Sequence, residues 1–224
     1  MKSSRSLTHR LTMLTAAVVA ASALSGCAFL FLGGAVAGGA LVATDRRTSG
    51  AQLEDQGIEL KASARLKDVI DAQRSKVEVT SYNRMVLLTG EVQNEAEKAN
   101  AEQAVARLEN VRSVVNEIGI VGSATFSRSG SGDAFITSKV KATLVDARDL
   151  QANAFKVTTE RGTVYLMGIV TEREADRATE LTRSISGVLK VVRVFEIVSE
   201  AELANLRPVP TAAAASSAAA NRQP

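Results

Sequence analysis

Few residues of this chain can do chemistry. Cys27 is its only thiol, and it closes the tetrad Leu24-Ser25-Gly26-Cys27, where small residues precede the sulfur. Glu172, Glu174, Asp176 and Glu180 could together suggest a metal site, but Arg173, Arg177 and Arg183 interleave with them. That spacing favours ion pairing along a helix surface. Phe135 stands beside Lys139 and Lys141, a combination that suits a lipid interface, where a ring inserts and ammonium groups meet phosphates. It equally suits a ring capping the edge of a core beside solvated lysines, and the residues alone leave both open. Gly33-Gly34 and Gly38-Gly39 lack the strand–helix context and the lysine of a phosphate loop.

The elements before Cys27 explain why its sulfur matters. Lys2, Arg5 and Arg10 form a positive region, followed by an apolar stretch from Leu11 to Ala23. That length suits a secretory signal and is too short to span a bilayer. The tetrad matches the lipobox of bacterial lipoproteins. The match implies cleavage after residue 26, a thioether-linked diacylglycerol on Cys27 and an acyl chain such as palmitate on its new amino group. Anchoring by two or three chains is stable. Ala28, where Asp would imply inner-membrane retention, points to the outer membrane and a periplasm-facing chain. An ordinary secreted protein with an incidental cysteine is the alternative.

Processing also removes function classes. Three of the 27 basic residues and none of the 24 acidic ones precede Cys27, so the processed chain is formally neutral. Nucleic-acid binding thereby loses its electrostatic support, and no nucleic acid is expected as a partner. The only histidine, His9, leaves with the signal. Histidine acid–base catalysis, a cysteine nucleophile and His/Cys zinc sites are excluded. A carboxylate-based hydrolase is allowed in principle, but nothing encourages it. The expectation is a non-enzymatic protein without catalytic residues, metal or cofactor.

Beyond Cys27 the chain is modular. Residues 27–53 read as a lipidated, Gly-rich tether; their apolar part, 28–44, also fits a membrane helix with Gly34 and Gly38 on one face, and the Gly-Gly pairs favour the tether. Residues 76–92 resemble 154–170 at an offset of 78, pairing Val79 with Val157, Leu88 with Leu166 and Gly90 with Gly168. A one-residue deletion shifts the offset to 77, pairing 111–115 with 188–192. Each copy reads as helix, strand, strand, helix, strand. In the first, the 3.6-residue period predicts a helix over 54–72, Tyr82-Asn83-Arg84 a hairpin turn, Asn94 an N-cap and 112–121 the last strand. In the second, the elements fall near 133–147, 155–160, 163–169, 172–186 and 189–198. Residues 122–132 read as a linker and 200–224 as a disordered Ala/Pro-rich tail. The fold class is α+β: tandem domains over 54–121 and 133–199, each with two helices on a three-stranded mixed sheet.

This αββαβ plan, with Gly90 and Gly168 near the end of the second strand and a Val-x-x-Val-Val entry to the third, resembles the BON domain. The lipobox, the segment ThrAspArgArgThrSerGly at 44–50, the two copies and ValTyrLeuMetGlyIleValThrGluArgGluAla at 164–175 together resemble the DolP (YraP) family of outer-membrane, division-site lipoproteins. Asn110 departs from the pattern, standing where a glycine usually precedes Val111. Gly187 keeps that glycine in the second copy. The resemblance implies binding of anionic phospholipids, phosphatidylglycerol and cardiolipin, through the first helix of the second domain, in support of envelope integrity. It places Phe135 at the family's lipid-facing aromatic position and implies a lipid-contacting set of Phe135, Ile136, Lys139, Val140 and Lys141. The residues give partial independent support. Ile136, Val140, Thr143 and Leu144 share a face that should pack on the sheet, and Phe135 lies about 100° away, a helix step. The first copy carries 9 basic and 12 acidic residues, the second 10 and 9, so anionic lipid repels the second less. The alternative is a protein-interaction adaptor whose partners are outer-membrane assembly or cell-division proteins.

Overall fold

In the computed structural model the described residues are 45–121 and 130–206. Cys27, the signal segment, most of the expected tether, most of the expected linker and most of the expected tail lie outside them. The elements of the first copy are α1 (Ser49–Leu66), β1 (Lys76–Tyr82), β2 (Met85–Val92), α2 (Glu95–Ala106), β3 (Ser113–Asn116) and β4 (Gly119–Ile120). Those of the second are α3 (Gly130–Asp146), a 3-10 turn (Ala152–Ala154), β5 (Phe155–Glu160), β6 (Thr163–Val170), α4 (Glu172–Arg183) and β7 (Lys190–Ile197). A last helix, α5, covers Glu200–Leu206.

In each copy the hairpin strands pair antiparallel and the last strand returns parallel to the middle one. Asn83 and Arg84, like Arg161 and Gly162, all have positive φ. Two such residues in a two-residue loop match the right-handed twist of the flanking strands. Gly90 and Gly168 are glycines because the chain passes too close for a side chain. An added Cβ would lie 2.1 Å from the Lys76 carbonyl oxygen and 2.4 Å from that of Ala154.

Several boundaries differ from the sequence expectation. Thr48 caps α1 by accepting a bond from the Ala51 amide, so the helix begins at 49, and residues 45–53 belong to the folded unit rather than to a tether. The strand expected over 112–121 is broken, because the Asn116 side chain accepts the Ile118 amide at 3.2 Å and takes it out of the ladder. The linker ends earlier than expected, since α3 starts at Gly130. Residues 200–206, expected within the disordered tail, form a helix. Ser199 and Glu202 cap it reciprocally, and Leu203 is buried at its centre.

Three apolar cores follow from strand alternation. Val86, Leu88 and Val92 of β2 pack under α1 and α2 with Ile58, Ala62, Leu66, Ala101 and Val105. Val164, Leu166 and Val170 of β6 pack likewise under α3 and α4 with Ile136, Val140, Leu144, Ala175 and Ala178. The intervening residues point the other way. Tyr82 and Leu87 meet Tyr165, Met167, Ile169 and Val194 in a third core between the two sheets. The domains therefore pack sheet to sheet, with α1 and α2 in one outer layer and α3 and α4 in the other. Both faces of β2 and β6 are covered, which explains the apolar runs Met85–Leu88 and Val164–Met167 within them.

Candidate functional site

Helix α3 is held rigidly, and that determines what it shows to solvent. Asp133, 6 % exposed, accepts the backbone amides of Arg161 and Gly162 at 2.9 Å each, tying the helix start to the β5–β6 turn. Asp55 does the same in the first copy, accepting the amides of Asn83 and Arg84 at 2.7 and 2.8 Å. The two acids stand 78 residues apart, the offset of the repeat, so the sequence carried a signal for this fastening that residue pairing along the strands alone overlooks. The Thr137 hydroxyl meets that of Thr159 at 2.7 Å and fixes the helix against β5.

The five residues expected to contact lipid divide in two. Phe135 is 62 % exposed, with the Lys139 ammonium 4.4 Å from its ring centroid. Such an exposed cation–π contact contributes about 0.5–1 kcal/mol. Lys141 is exposed, and among the described residues neither lysine has a carboxylate partner. Ile136 and Val140, by contrast, are 8 % and 0 % exposed, inside the second domain's core. They have no surface to offer a lipid; their part is to seat the helix. Val145, at 69 % exposure, joins the outward group instead. Between Ala134 and Val145 the only charged side chains are Lys139 and Lys141.

A cleft of about 340 Å³ runs along the C-terminal half of α3. Its walls include Lys141 and Val145 from the second domain, Tyr82 from the first, and Asp45 and Arg47, which precede both. The segment ahead of α1 thus touches both domains. Arg46 is 8 % exposed and donates to Glu174 Oε1 at 2.7 Å, to Oε2 at 2.8 Å and to the Ile169 carbonyl at 2.7 Å. Burial alone would push Glu174 up, but the Arg46 guanidinium and the Thr171 amide bring its carboxyl below the ordinary glutamate value. Arg47 bonds Asp55 at 2.8 Å and lies 4.1 Å from the Tyr82 ring centroid. Burial opposes the charge of Asp55, yet bonds from Ser81, Arg84, Arg47 and Asn83 hold it below the usual carboxylate range. Burial also pushes the Tyr82 and Tyr165 hydroxyls up to about 12, so both stay neutral.

The acidic series on α4 is spent on arginines. Glu172 and Asp176 pair with Arg193 of β7 at 2.7 and 2.8 Å, Glu180 with Arg177 at 3.0 Å, and Glu174 with Arg46. Only the Glu180 pair lies along the helix surface. Sequence reasoning missed Arg46 and Arg193 as partners because both come from other elements.

Two αββαβ units on one chain, each with a glycine where its middle strand meets the backbone at the start of its first strand, define the class. The BON domain model matches residues 54–122 and 132–199, and the chain belongs to the BON domain family. It is 40% identical over 176 residues to outer membrane lipoprotein DolP of Haemophilus influenzae, covering 77% of this chain and 89% of that protein. It is 32% identical to the 21 kDa hemolysin of Actinobacillus pleuropneumoniae, over 69% of this chain and 79% of that one. Osmotically-inducible protein Y of Escherichia coli is 28% identical over 62% of this chain and 70% of its own length. Among solved structures, the C-terminal domain of the Chlamydia trachomatis type III secretion protein CdsD aligns over 61% of this chain and 96% of its own, at 14% identity. The TM-score of that alignment is 0.26.

Proposed function

We propose that this protein is a periplasm-facing lipoprotein, anchored through Cys27 to the outer membrane, that binds anionic phospholipid with the outer face of α3 and supports the integrity of the envelope. A DolP-like outer-membrane location agrees with the lipobox and with the relative's own name. No helix among the described residues is long and apolar enough to cross a membrane. The anchor is assigned to the lipid by the lipobox that ends at Cys27. The observation that carries the binding reading is Phe135: a solvent-exposed ring under Lys139, beside Lys141, on a stretch of helix, 134–145, whose only charged side chains are those two lysines. Rings of this kind rest at the headgroup level while neighbouring ammonium groups meet phosphates, at about 1 kcal/mol per lysine. Binding of that strength is weak for a free domain and effective for an anchored one, whose local concentration of lipid is high.

The test is a titration of residues 45–224, a compact unit, with nanodiscs containing phosphatidylglycerol or cardiolipin and with zwitterionic ones. Stronger binding to the anionic discs, lost in Phe135→Ala with Lys139→Ala and Lys141→Ala, is expected. Equal binding to both discs, or binding unchanged in the triple variant, would sink the assignment.

A second reading draws on the first domain. Leu53 and Leu60, 72 % and 74 % exposed, are seven residues apart and therefore share one face of α1. A protein of the assembly or division machinery seated there would make the molecule an adaptor, and crosslinked protein partners without lipid affinity would favour that role.

A further inference from the structure

The two copies are the same scaffold, so positions where they differ on the surface are informative. Leu189, in the turn between α4 and β7, is 81 % exposed. Its amide donates to the Gly162 carbonyl at 2.8 Å, just as the Arg112 amide donates to the Arg84 carbonyl at 2.8 Å in the first copy. Arg112 is therefore its structural counterpart, and there the side chain pairs with Glu196. The second copy has replaced a paired arginine with a bare leucine. Its side chain also has a prepared seat. It lies over Gly162, where an added Cβ would come within 2.9 Å of the leucine Cγ.

This leucine belongs to the same end of the molecule as the start of α3. Leu189 and Ile136 line one recess of about 360 Å³, together with Asp133, Arg161, Gly162 and Gly187. Gly187 reaches so near that a Cβ there would sit 3.2 Å from the Ile136 side chain. Phe135 follows the same pattern of difference, since the offset of 78 sets Gly57 at its place in the first copy. Two large apolar side chains have thus appeared at one end of the second domain.

The charges around the turn indicate what covers it. Asp133 is consumed by the Arg161 and Gly162 amides. Glu91, its side chain 6 % exposed, faces Arg161. Glu117 stands 3.7 Å from Lys190, whose side chain remains 63 % exposed. Glu160, part-buried, lies near Lys76 and Glu78 of the first domain. Of these carboxylates only Glu78 is exposed, and it pairs with Lys76 at 2.6 Å, while Lys190 reaches outward and Lys139 lies half-buried on the Phe135 ring. Apolar tips with outward ammonium groups fit an anionic bilayer surface better than an acidic or neutral protein patch.

We propose that Leu189 is a second lipid-inserting residue, which enters the headgroup region of an anionic membrane alongside Phe135. The inference rests on the lipid-binding reading of α3 and extends it to a neighbouring turn. With insertion points on both elements, the domain meets the membrane along an edge rather than through one side chain. Removing Leu189 should then weaken the contact about three- to tenfold, as expected for partial burial of one leucine.

The chain has no tryptophan, so an introduced one is a unique fluorophore. Full-length lipidated protein carrying F135W, L189W or R112W is reconstituted in vesicles of phosphatidylcholine with and without phosphatidylglycerol, using brominated lipids as quenchers. F135W and L189W should be blue-shifted and quenched in the anionic vesicles, and R112W should be neither. Quenching of F135W without L189W overturns this inference and leaves the α3 reading standing. Absence of quenching in both overturns the two together.

Discussion

Arg46 holds the molecule together from outside either domain. Its guanidinium spans both oxygens of Glu174 and a backbone carbonyl, and both side chains are almost fully buried. Removing one partner of such a pair strands a buried charge, so Arg46→Ala should cost about 3–5 kcal/mol at pH 7, read by urea denaturation. The pH dependence of that deficit follows from the sign of the Glu174 shift. A carboxyl held below its ordinary value stabilises the fold above the unfolded pKa, and the contribution disappears as pH falls through the folded one. The gap between wild type and variant should therefore narrow on acidification. A gap constant from pH 7 to pH 3, on the order of four pH units across the carboxylate range, would exclude the pair as its cause. Asn110 makes a smaller point of the same kind. Its φ is 68°, in the left-handed region where Asn is the best tolerated residue after glycine, and Gly187 at the matching place has φ 99°. Asn110→Gly should leave the melting temperature nearly unchanged, whereas Asn110→Val, β-branched in that region, should cost about 1–2 kcal/mol. Equal melting temperatures for both variants would contradict the backbone argument.

The elements show why so much of the fold could be read in advance. Gly168 illustrates it: the repeat singled out the position, and the structure supplies the reason, a Cβ 2.4 Å from the Ala154 carbonyl oxygen. Gly168→Ala must push β6 away from the turn before β5, and a loss of about 2 kcal/mol or more is expected in thermal unfolding. A melting temperature equal to that of wild type would show that the turn simply moves. Periodicity found β5, β6 and β7 within a residue because alternation and turn residues are local signals. It misplaced the start of α1, since the Thr48 cap lies outside the apolar pattern, and it joined β3 to β4, since the Asn116 side chain interrupts the ladder without disturbing the valines. At the candidate site the same reasoning separated Phe135 from the core face of α3. It also put Ile136 and Val140 on that core face, where the structure buries them, so their place in the lipid-contacting set came from the resemblance alone. That Lys139 would fold onto the ring could not be foreseen, because it depends on packing. Partners such as Arg46 and Glu174, 128 positions apart, leave no local trace.

At the scale of the whole molecule, the two sheets meet back to back through Leu87, Tyr82, Tyr165 and Met167, and the helices occupy opposite outer layers. Cross-links between the domains reinforce this. Lys156 donates to Glu59 at 2.7 Å and to the Ser81 carbonyl at 3.0 Å, and Asn83 donates to Glu196 at 2.8 Å. Leu87 beside Val86 and Leu88, and Tyr165 and Met167 beside Val164 and Leu166, place apolar side chains on both faces of β2 and β6, as covered sheets require. One consequence concerns orientation at the membrane. If α3 lies on lipid, α1 in the opposite layer faces away, and Leu53 and Leu60 remain on the side open to the periplasm. A tryptophan at Leu60 in the anchored, full-length protein should then be untouched by brominated lipids and freely quenched by a water-soluble agent. The same fluorophore at Phe135 should behave in the opposite way. Lipid quenching at both positions would mean that the sandwich opens at the membrane, and Leu87→Asp, which places a charge in the contact between sheets, should then enhance it. Protection of Leu60→Trp from both quenchers would instead indicate a protein seated on α1, the condition under which one layer binds lipid and the other a partner.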